Sequence, residues 1–225
     1  MLPLTLAINS ATRKTSVALI SGSKVLGERS WLSKKDEAAK IIPALQSLLI
    51  KTKKNWSDVG EIFVVSGPGP FTGLRVGVTI ANGLAYANKV PIKSSSVFEY
   101  LLTSLPSSLQ RQTAIIVKGG GEFFALYSQN DKKEKLLSVS DLIDLLAKKK
   151  FRNILFGIKR EDRLLITKML KHNRMSCAII DERKLISFAE TVVILLKKIR
   201  KKSKSIKPLY LQKPLITQSK KEKFT

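Results

Sequence analysis

The sequence predicts an α/β protein of two lobes, each with the element order βββαβαβα. Two observations carry this. Strand-length runs of alternating or continuous apolar residues, interleaved with segments of helical spacing, follow one order up to about residue 105 and repeat it afterwards. The chain has 225 residues, 44% of them hydrophobic and 26% charged, which suits one large domain or two small lobes with a real core.

In the first lobe (1–105), Thr5–Asn9 reads as a strand. Ser16–Gly22 and Lys24–Trp31 follow as a hairpin turning at Gly22-Ser23. Between Asp36 and Thr52 the spacing of Ala39, Ile42, Leu45, Leu48 and Leu49 predicts a helix that Pro43 should kink or restart. Glu61–Ser66 is a buried strand, Gly73–Tyr86 a helix, Lys89–Lys93 a strand and Val97–Leu105 a helix. In the second lobe (106–184), strands are expected at Thr113–Val117, Phe123–Ser128 and Leu136–Val139. A helix capped by Ser140 comes next, then strand Arg152–Phe156, helix Glu161–Lys171 and strand Cys177–Asp181. The final helix is placed at Leu185–Lys202, packing back on the first lobe, with a basic tail over 203–225 whose end, Gln218–Thr225, is expected to be disordered. A duplicated unit of this order is that of the actin/Hsp70/sugar-kinase superfamily, in which nucleotide binds between lobes.

Composition narrows the chemistry. Nothing approaches the roughly 18 apolar residues of a membrane span. The opening Met1-Leu2-Pro3-Leu4-Thr5-Leu6 has no signal-peptide pattern, and one cysteine, Cys177, fits a reducing cytosol, so a cytoplasmic protein is expected. With that cysteine and one histidine, His172, the chain has too few ligands for a structural zinc site. Ser-His-Asp and Cys-His catalysis would need His172, which sits in the polar run Lys171-His172-Asn173-Arg174 that reads as a helix end. The formal net charge of +24 favours a polyanionic partner, or equally reflects a lysine-rich host, because the lysines are spread along the chain without interleaved aromatics.

The densest signal is Ser66-Gly67-Pro68-Gly69-Pro70-Phe71-Thr72-Gly73-Leu74-Arg75-Val76-Gly77, running from a strand end into a helix. Gly67 and Gly69 permit backbone angles closed to other residues, Pro68 and Pro70 stiffen the turn, and Thr72 is placed to cap the helix. Gly73, Gly77 and Gly83 each cost the helix about 1 kcal/mol relative to Ala, a loss usually recovered by close backbone packing. It is not a phosphate loop of known spacing, since it lacks G-x-x-x-x-G-K-[ST] and Thr72 stands where a third glycine of G-x-G-x-x-G belongs. The residues alone favour a rigid turn and a packing helix over a ligand loop.

Gly67–Gly77 resembles the signature G-P-G-S-F-T-G-L-R-I-G of the TsaB (YeaZ) family, with Pro70 replacing serine. Ala81-Asn82-Gly83-Leu84-Ala85 is similar to its A-K-G-L-A, Val90-Pro91-Ile92 to Ser96 to its I-P-L-x-x-V-S, and Leu6-Ala7-Ile8-Asn9-Ser10 to its L-A-I-D-T-S. Pro208-Leu209-Tyr210-Leu211-Gln212 resembles its P-x-Y-L-R. The resemblance covers most of the first lobe and the C-terminus, while about 106–185 agrees only in element order. Three positions depart from the pattern. Asn9 replaces the first-strand Asp, which argues against magnesium-nucleotide chemistry. Lys34-Lys35-Asp36-Glu37 replaces the His before the first helix, and Val117-Lys118-Gly119-Gly120-Gly121-Glu122 replaces the second-lobe D-A-R segment, with only Glu122 matching.

The resemblance implies a non-catalytic scaffold subunit of the tRNA threonylcarbamoyl transferase complex, modifying the adenosine beside the anticodon. Its partners would be a TsaD-like catalytic paralogue and a TsaE-like ATPase, with ATP and metal on those subunits and tRNA bound through the complex. Alone, the chain is open to homodimerisation through the same helices. The family's partner interface maps onto Ile42, Leu45, Leu49, Gly73, Leu74, Gly77, Val78, Ala81 and Ala85, although some of these side chains would instead face the sheet beneath. Arg75 is a candidate to cap a partner helix or bind phosphate, or is simply solvated. Lys118, Gly119, Gly120 and Gly121 form a candidate phosphate site, against a plain hairpin turn. Lys197, Lys198, Arg200, Lys201 and Lys202 are a candidate tRNA contact, against a helix end carrying favourable cations. The competing functions are a nucleotide-binding kinase or ATPase of the same fold, a glycoprotease, which would need a metal or nucleophile constellation, and a basic RNA-binding protein.

Overall fold

The computed structural model describes residues 3–120, 122–130, 134–158 and 160–211. The first sheet begins with β1 (Leu4–Asn9), β2 (Lys14–Ser21) and β3 (Lys24–Leu32), antiparallel neighbours. Every residue of β1 is buried and β2 is buried along most of its length, so these are the central strands, while β3 is half-exposed at the edge. The two-residue turn at Gly22-Ser23 joins β2 to β3, with Gly22 in the left-handed region at φ 58°. Helix α1 (Glu37–Lys51) leads to β4 (Val59–Val65), and α2 (Phe71–Ala87) leads to β5 (Ile92–Ser95), both strands adding in parallel. The lobe ends with α3 (Val97–Thr103), capped by Ser96 in a box with Glu99. Helix α1 runs unbroken through Pro43, which is exposed, so water can serve the carbonyl that proline leaves unpaired.

After the short α4 (Ser107–Gln110), the order repeats with β6 (Thr113–Gly120), β7 (Phe123–Tyr127), β8 (Lys135–Leu137), α5 (Val139–Lys149), β9 (Asn153–Gly157), α6 (Arg160–His172), β10 (Ala178–Ile179) and α7 (Phe188–Lys198). The sheet orders are β3-β2-β1-β4-β5 and β8-β7-β6-β9-β10, one topology used twice, and the fold is the α/β duplication of the actin/Hsp70/sugar-kinase class. The cap of α5 is Ser138, not Ser140, because Ser138 accepts from the Asp141 amide. Thr72 is likewise not a cap: it lies inside α2, whose N-cap is Pro70.

A strict alternation along β6 joins the lobes. Ala114 and Ile116 face α5 and α6 in a second-lobe core, whereas Ile115 and Val117 join the first-lobe core. That larger core also takes Phe98 and Leu101 of α3 and Phe188, Ala189, Val192 and Leu195 of α7. Helix α7 packs on β2, β3 and α3; the Ala189 amide donates to Glu28 Oε2 at 2.9 Å, and the Phe188 ring meets Tyr100 edge-on at 5.9 Å. Phe98 stacks on Tyr127 at 5.3 Å between α3 and β7.

The last helix is shorter than the sequence suggests. It spans Phe188–Lys198, not 185–202, and is capped by Ser187 in a box with Glu190. From Ile199 the backbone is extended and straps onto the first lobe. Ile92 and Ser203 exchange two backbone hydrogen bonds of 3.0 Å, the Asn82 side-chain amide donates to the Ile206 carbonyl and accepts from the Ile206 amide at 2.9 Å each, and the Leu209 amide donates to the Ser66 carbonyl at 2.7 Å. These contacts outcompete helix continuation by satisfying backbone groups of the strap across the β5 edge and α2. The tail beyond 211, including Gln218–Thr225, lies outside the described residues. Phe188 is 3% exposed at the junction of α7 with α3, so Phe188→Ala should destabilise the fold by about 3 kcal/mol. Urea unfolding should show this as a lower midpoint with an unchanged slope.

Candidate functional site

The segment from Ser66 to Gly77 is a junction of three parts of the chain. Its glycines stand where neighbours come too close for a side chain. A Cβ on Gly67, at φ +112°, would lie 2.6 Å from the Leu209 carbonyl of the strap and 2.9 Å from Leu74. One on Gly69 would strike the Ala11 backbone in the β1–β2 turn. One on Gly73 would lie 2.9 Å from the Glu37 carboxylate and 3.0 Å from the Ser10 carbonyl, and one on Gly77 would overlap the Ser10 hydroxyl. The helical cost of Gly73 and Gly77 is thus recovered inside the chain. Pro68, after a cis peptide bond, and Pro70 hold the turn, which the Val97 amide fastens by donating to the Gly67 carbonyl at 2.6 Å.

Glu37 was not singled out in the sequence, although an acid in a first helical turn is a visible signal. It is 6% exposed, accepts from the Ser33 hydroxyl, and lies beside the first turn of α2, which has no side-chain cap. A carboxylate there complements the positive end of the helix dipole. Arg75 is exposed, with its guanidinium 4.9 Å from the Phe71 ring centre, and Phe71 in turn lies 5.4 Å from Tyr210 of the strap.

At the end of β1, Asn9 is fully buried and both ends of its amide bond within its own turn. Its Nδ2 donates to Thr12 Oγ1 at 2.9 Å, and its Oδ1 accepts from the Ala11 amide at 3.0 Å. The cleft between the lobes, about 400 Å³, is lined by Thr12, Arg13, Glu28, Tyr100, Gly157 and Arg183 among others. Burial, helped by the Glu28 charge, pushes the Tyr100 phenol well above its ordinary range, and a hydrogen bond with Asn9 works in the opposite sense. Arg183 is held by Asp181, whose carboxyl is lowered to about 2 by that hydrogen-bonded partner. Among the described residues no three of His, Cys, Asp and Glu converge to hold a metal ion.

The structure redraws several expected sites. Lys118 does not extend into free space as a phosphate ligand: its ammonium pairs with Asp162 at 2.8 Å and sits 4.2 Å over the Phe124 ring. Gly119 packs on Leu136, and Gly120, at φ +125°, follows an irregularity in the β6–β7 ladder, which is the geometry of a bulged turn; Gly121 lies outside the described residues. Leu45, Leu49, Leu74, Val78, Ala81 and Ala85 are at most 2% exposed, so these interface candidates belong to this lobe's own core. Gly73 and Gly77 face β1 and α1, leaving Ile42 partly open. Outward positions include Ala38, Ala39, Ile42, Pro43, Gln46 and Ile50 on α1, and Thr72, Val76, Thr79, Ile80, Gly83 and Tyr86 on α2, with the charged Lys40, Lys51 and Arg75 also exposed on these helices. Of the basic candidates, Lys197 and Lys198 close α7, while Arg200, Lys201 and Lys202 lie on the extended strap; all five are exposed.

A family model described as "TsaD: tRNA N6-adenosine threonylcarbamoyltransferase" matches residues 31–199. The tRNA threonylcarbamoyladenosine biosynthesis protein TsaB of Buchnera aphidicola (Schizaphis graminum) is 29% identical over 179 residues, 73% of this chain and 85% of that one. The chain belongs to the TsaD family, in its TsaB (YeaZ) branch. Bacillus subtilis TsaB is 35% identical over 96 residues, an alignment spanning 43% of this chain and 42% of that relative. Two solved structures share the fold at low identity. YeaZ from Pseudomonas aeruginosa superposes with TM-score 0.60 at 16% identity, covering 87% of this chain and 92% of that one. A protein described as similar to peptidase YeaZ from Pseudomonas aeruginosa reaches 0.69 at 17%, covering 94% and 100%. The TsaB signature loop is thereby accounted for in this chain by packing against Ser10, Ala11, Glu37 and Leu209.

Two outcomes follow. Gly77→Ala should cost about 1–3 kcal/mol in urea unfolding, because the added methyl overlaps Ser10. The raised Tyr100 pKa means that the folded state keeps the phenol proton longer than the unfolded chain, which ionises near pH 10. This contribution to stability is complete below that pH and is lost as pH rises through the folded-state value. In Tyr100→Phe the alkaline fall in unfolding free energy should therefore be shallower than in the parent chain.

Proposed function

We propose that this chain is a non-catalytic subunit in the biosynthesis of threonylcarbamoyladenosine in tRNA, pairing through the outward face of α1 and α2 with a TsaD-type transferase. ATP and catalytic metal belong to the partner subunits, including a TsaE-type ATPase, and tRNA is engaged by the assembled complex. The relatives' names supply the pathway.

The observation that carries the pairing is Gly83. It lies inside α2, is exposed, and a Cβ built there meets nothing within 4 Å. Unlike Gly73 and Gly77, it has no internal reason to be glycine. It sits on a face that also presents Val76, Thr79, Ile80 and, on α1, Ala38, Ile42 and Ile50, the last 70% exposed. Small and apolar residues along two adjacent helices allow another helix to approach closely and bury them. Asn9 supports the non-catalytic part of the reading, because its side chain closes a turn where a metal-organising carboxylate would otherwise stand.

Size exclusion of the chain mixed with the TsaD protein of the same host tests this. The parent should elute as a complex, and Gly83→Arg should not. Gly83→Ala should raise the stability of the isolated chain by about 1 kcal/mol while weakening the complex. A complex that tolerates Gly83→Arg would sink the proposed face, and no complex with the parent chain would sink the function.

A further inference from the structure

The C-terminal end of α2 and the strap enclose a second, open groove of about 660 Å³, lined by Ala85, Tyr86, Ala87, Lys89, Val90, Pro91, Lys202, Ser203 and Lys204. Its lining holds three cations and no acid. Neither Lys89, Lys202 nor Lys204 forms an ion pair among the described residues, although Lys40, Lys93 and Lys118 each do. All three are exposed, and Arg200, Lys201 and Lys207 follow along the same strap. Tyr86 on the lining is 87% exposed, the most open large apolar side chain among the described residues, none of which covers its ring. The rest of the lining is Ser203 and the small or apolar Ala85, Ala87, Val90 and Pro91.

The arrangement is fixed by backbone and not by chance proximity. The paired hydrogen bonds between Ile92 and Ser203 place Lys202 and Lys204 on either side of the residue bonded to β5. The φ of Lys89, +52°, turns the chain sharply at the end of α2, where the Lys89 and Val90 amides bond back to Tyr86 and Ala85. A spread of unneutralised cations favours an extended polyanion, and an uncovered aromatic face beside them favours one with flat bases free to stack. Double-helical RNA keeps its bases stacked on one another and inaccessible to such a ring.

Resting on the reading of the chain as a subunit acting on tRNA, we propose that this groove binds a single-stranded segment of RNA. Lys89, Lys202 and Lys204 neutralise its phosphates, and Tyr86 stacks on one of its bases. The groove lies at the end of α2, where Tyr86 is the last of that helix's outward positions, so RNA stacked on it runs along the rim of the face that would meet the transferase.

The test is fluorescence anisotropy with a labelled 12-nucleotide oligouridylate, a 12-base-pair RNA duplex and an unmodified tRNA transcript, each across a salt series. The triple variant Lys89→Asn, Lys202→Gln, Lys204→Gln removes the groove's charge, with asparagine tolerating the left-handed backbone at 89. It should weaken oligouridylate and tRNA binding and lower the magnitude of the slope of log K against log salt by about 2, from three single-strand phosphate contacts at ~0.7 each. Tyr86→Ser should weaken oligouridylate binding about tenfold with the slope unchanged, the loss expected of one stacked base. The control triple Lys24→Gln, Lys53→Asn, Lys54→Gln carries the same charge change outside the groove's lining, again with asparagine at a left-handed position, and should keep most of the affinity. Equal losses in the two triples, no effect of Tyr86→Ser, a preference for the duplex, or binding only to phosphatidylserine vesicles would each overturn the proposal. Elution of the lysine triple with the TsaD protein separates the two readings. A complex that forms while groove substitutions leave RNA binding untouched defeats the groove and leaves the pairing standing, whereas loss of pairing in the parent defeats the function whatever the anisotropy shows.

Discussion

The first lobe depends on one constraint: the backbone of α2 and of the loop before it must lie directly on the β1–β2 turn. Ser10 and Ala11 occupy the space where side chains at 69, 73 and 77 would be, so those positions are glycine. The approach fixes the angle at which α2 leaves β4 and brings Glu37 of α1 to its first turn. It also leaves the Ser66 carbonyl to be met by Leu209 from the far end of the chain. The helix propensity given up at Gly73 and at Gly77 is about 1 kcal/mol each, within the range that close packing restores. Both prolines reduce the freedom of the unfolded loop and so lessen what folding must order.

The second dependence is the two-sidedness of the second sheet. Because β6 sends alternate residues to opposite cores, neither of its faces is left to solvent, and α3 and α7 act as the layer between lobes. Helix α7 is therefore second-lobe in order and first-lobe in packing: it follows β10 in the chain but lies on β2 and β3. The lobes thus share apolar surface, as in an interior, and their relative placement is held by Phe98, Leu101 and Phe188.

Much of this was legible in the residues. Alternation marked the strands, Gly22-Ser23 marked the hairpin, and the glycine-proline run marked a rigid turn with a packing helix. The direction of packing was not legible. Small residues at four-residue steps along α2 suit a neighbouring sheet and a neighbouring helix alike, and only the structure shows that Gly73, Gly77, Ala81 and Ala85 serve the sheet while Gly83 does not. The end of α7 was misread for a related reason. Lysines near 197–202 are favourable at a helix C-terminus, and nothing local reveals that Ser203 bonds to Ile92, a partner far away in sequence. Lys118 was similar: its glycines were visible, but its counter-charge Asp162 comes from a different element. Local pattern reports local structure, and these three outcomes were decided by distant contacts.

The bridge between Ile92 and Ser203 has a consequence for solubility. β5 is the outer parallel strand of its sheet, and an open edge of that kind offers unpaired amides and carbonyls to any passing extended chain. The strap occupies that edge at Ile92 and surrounds it with positively charged side chains, so a strand from another molecule meets both a blocked position and electrostatic repulsion. The same lysines that give this chain its charge thus guard a sheet margin against self-association, and shortening the chain before residue 203 would bare that margin.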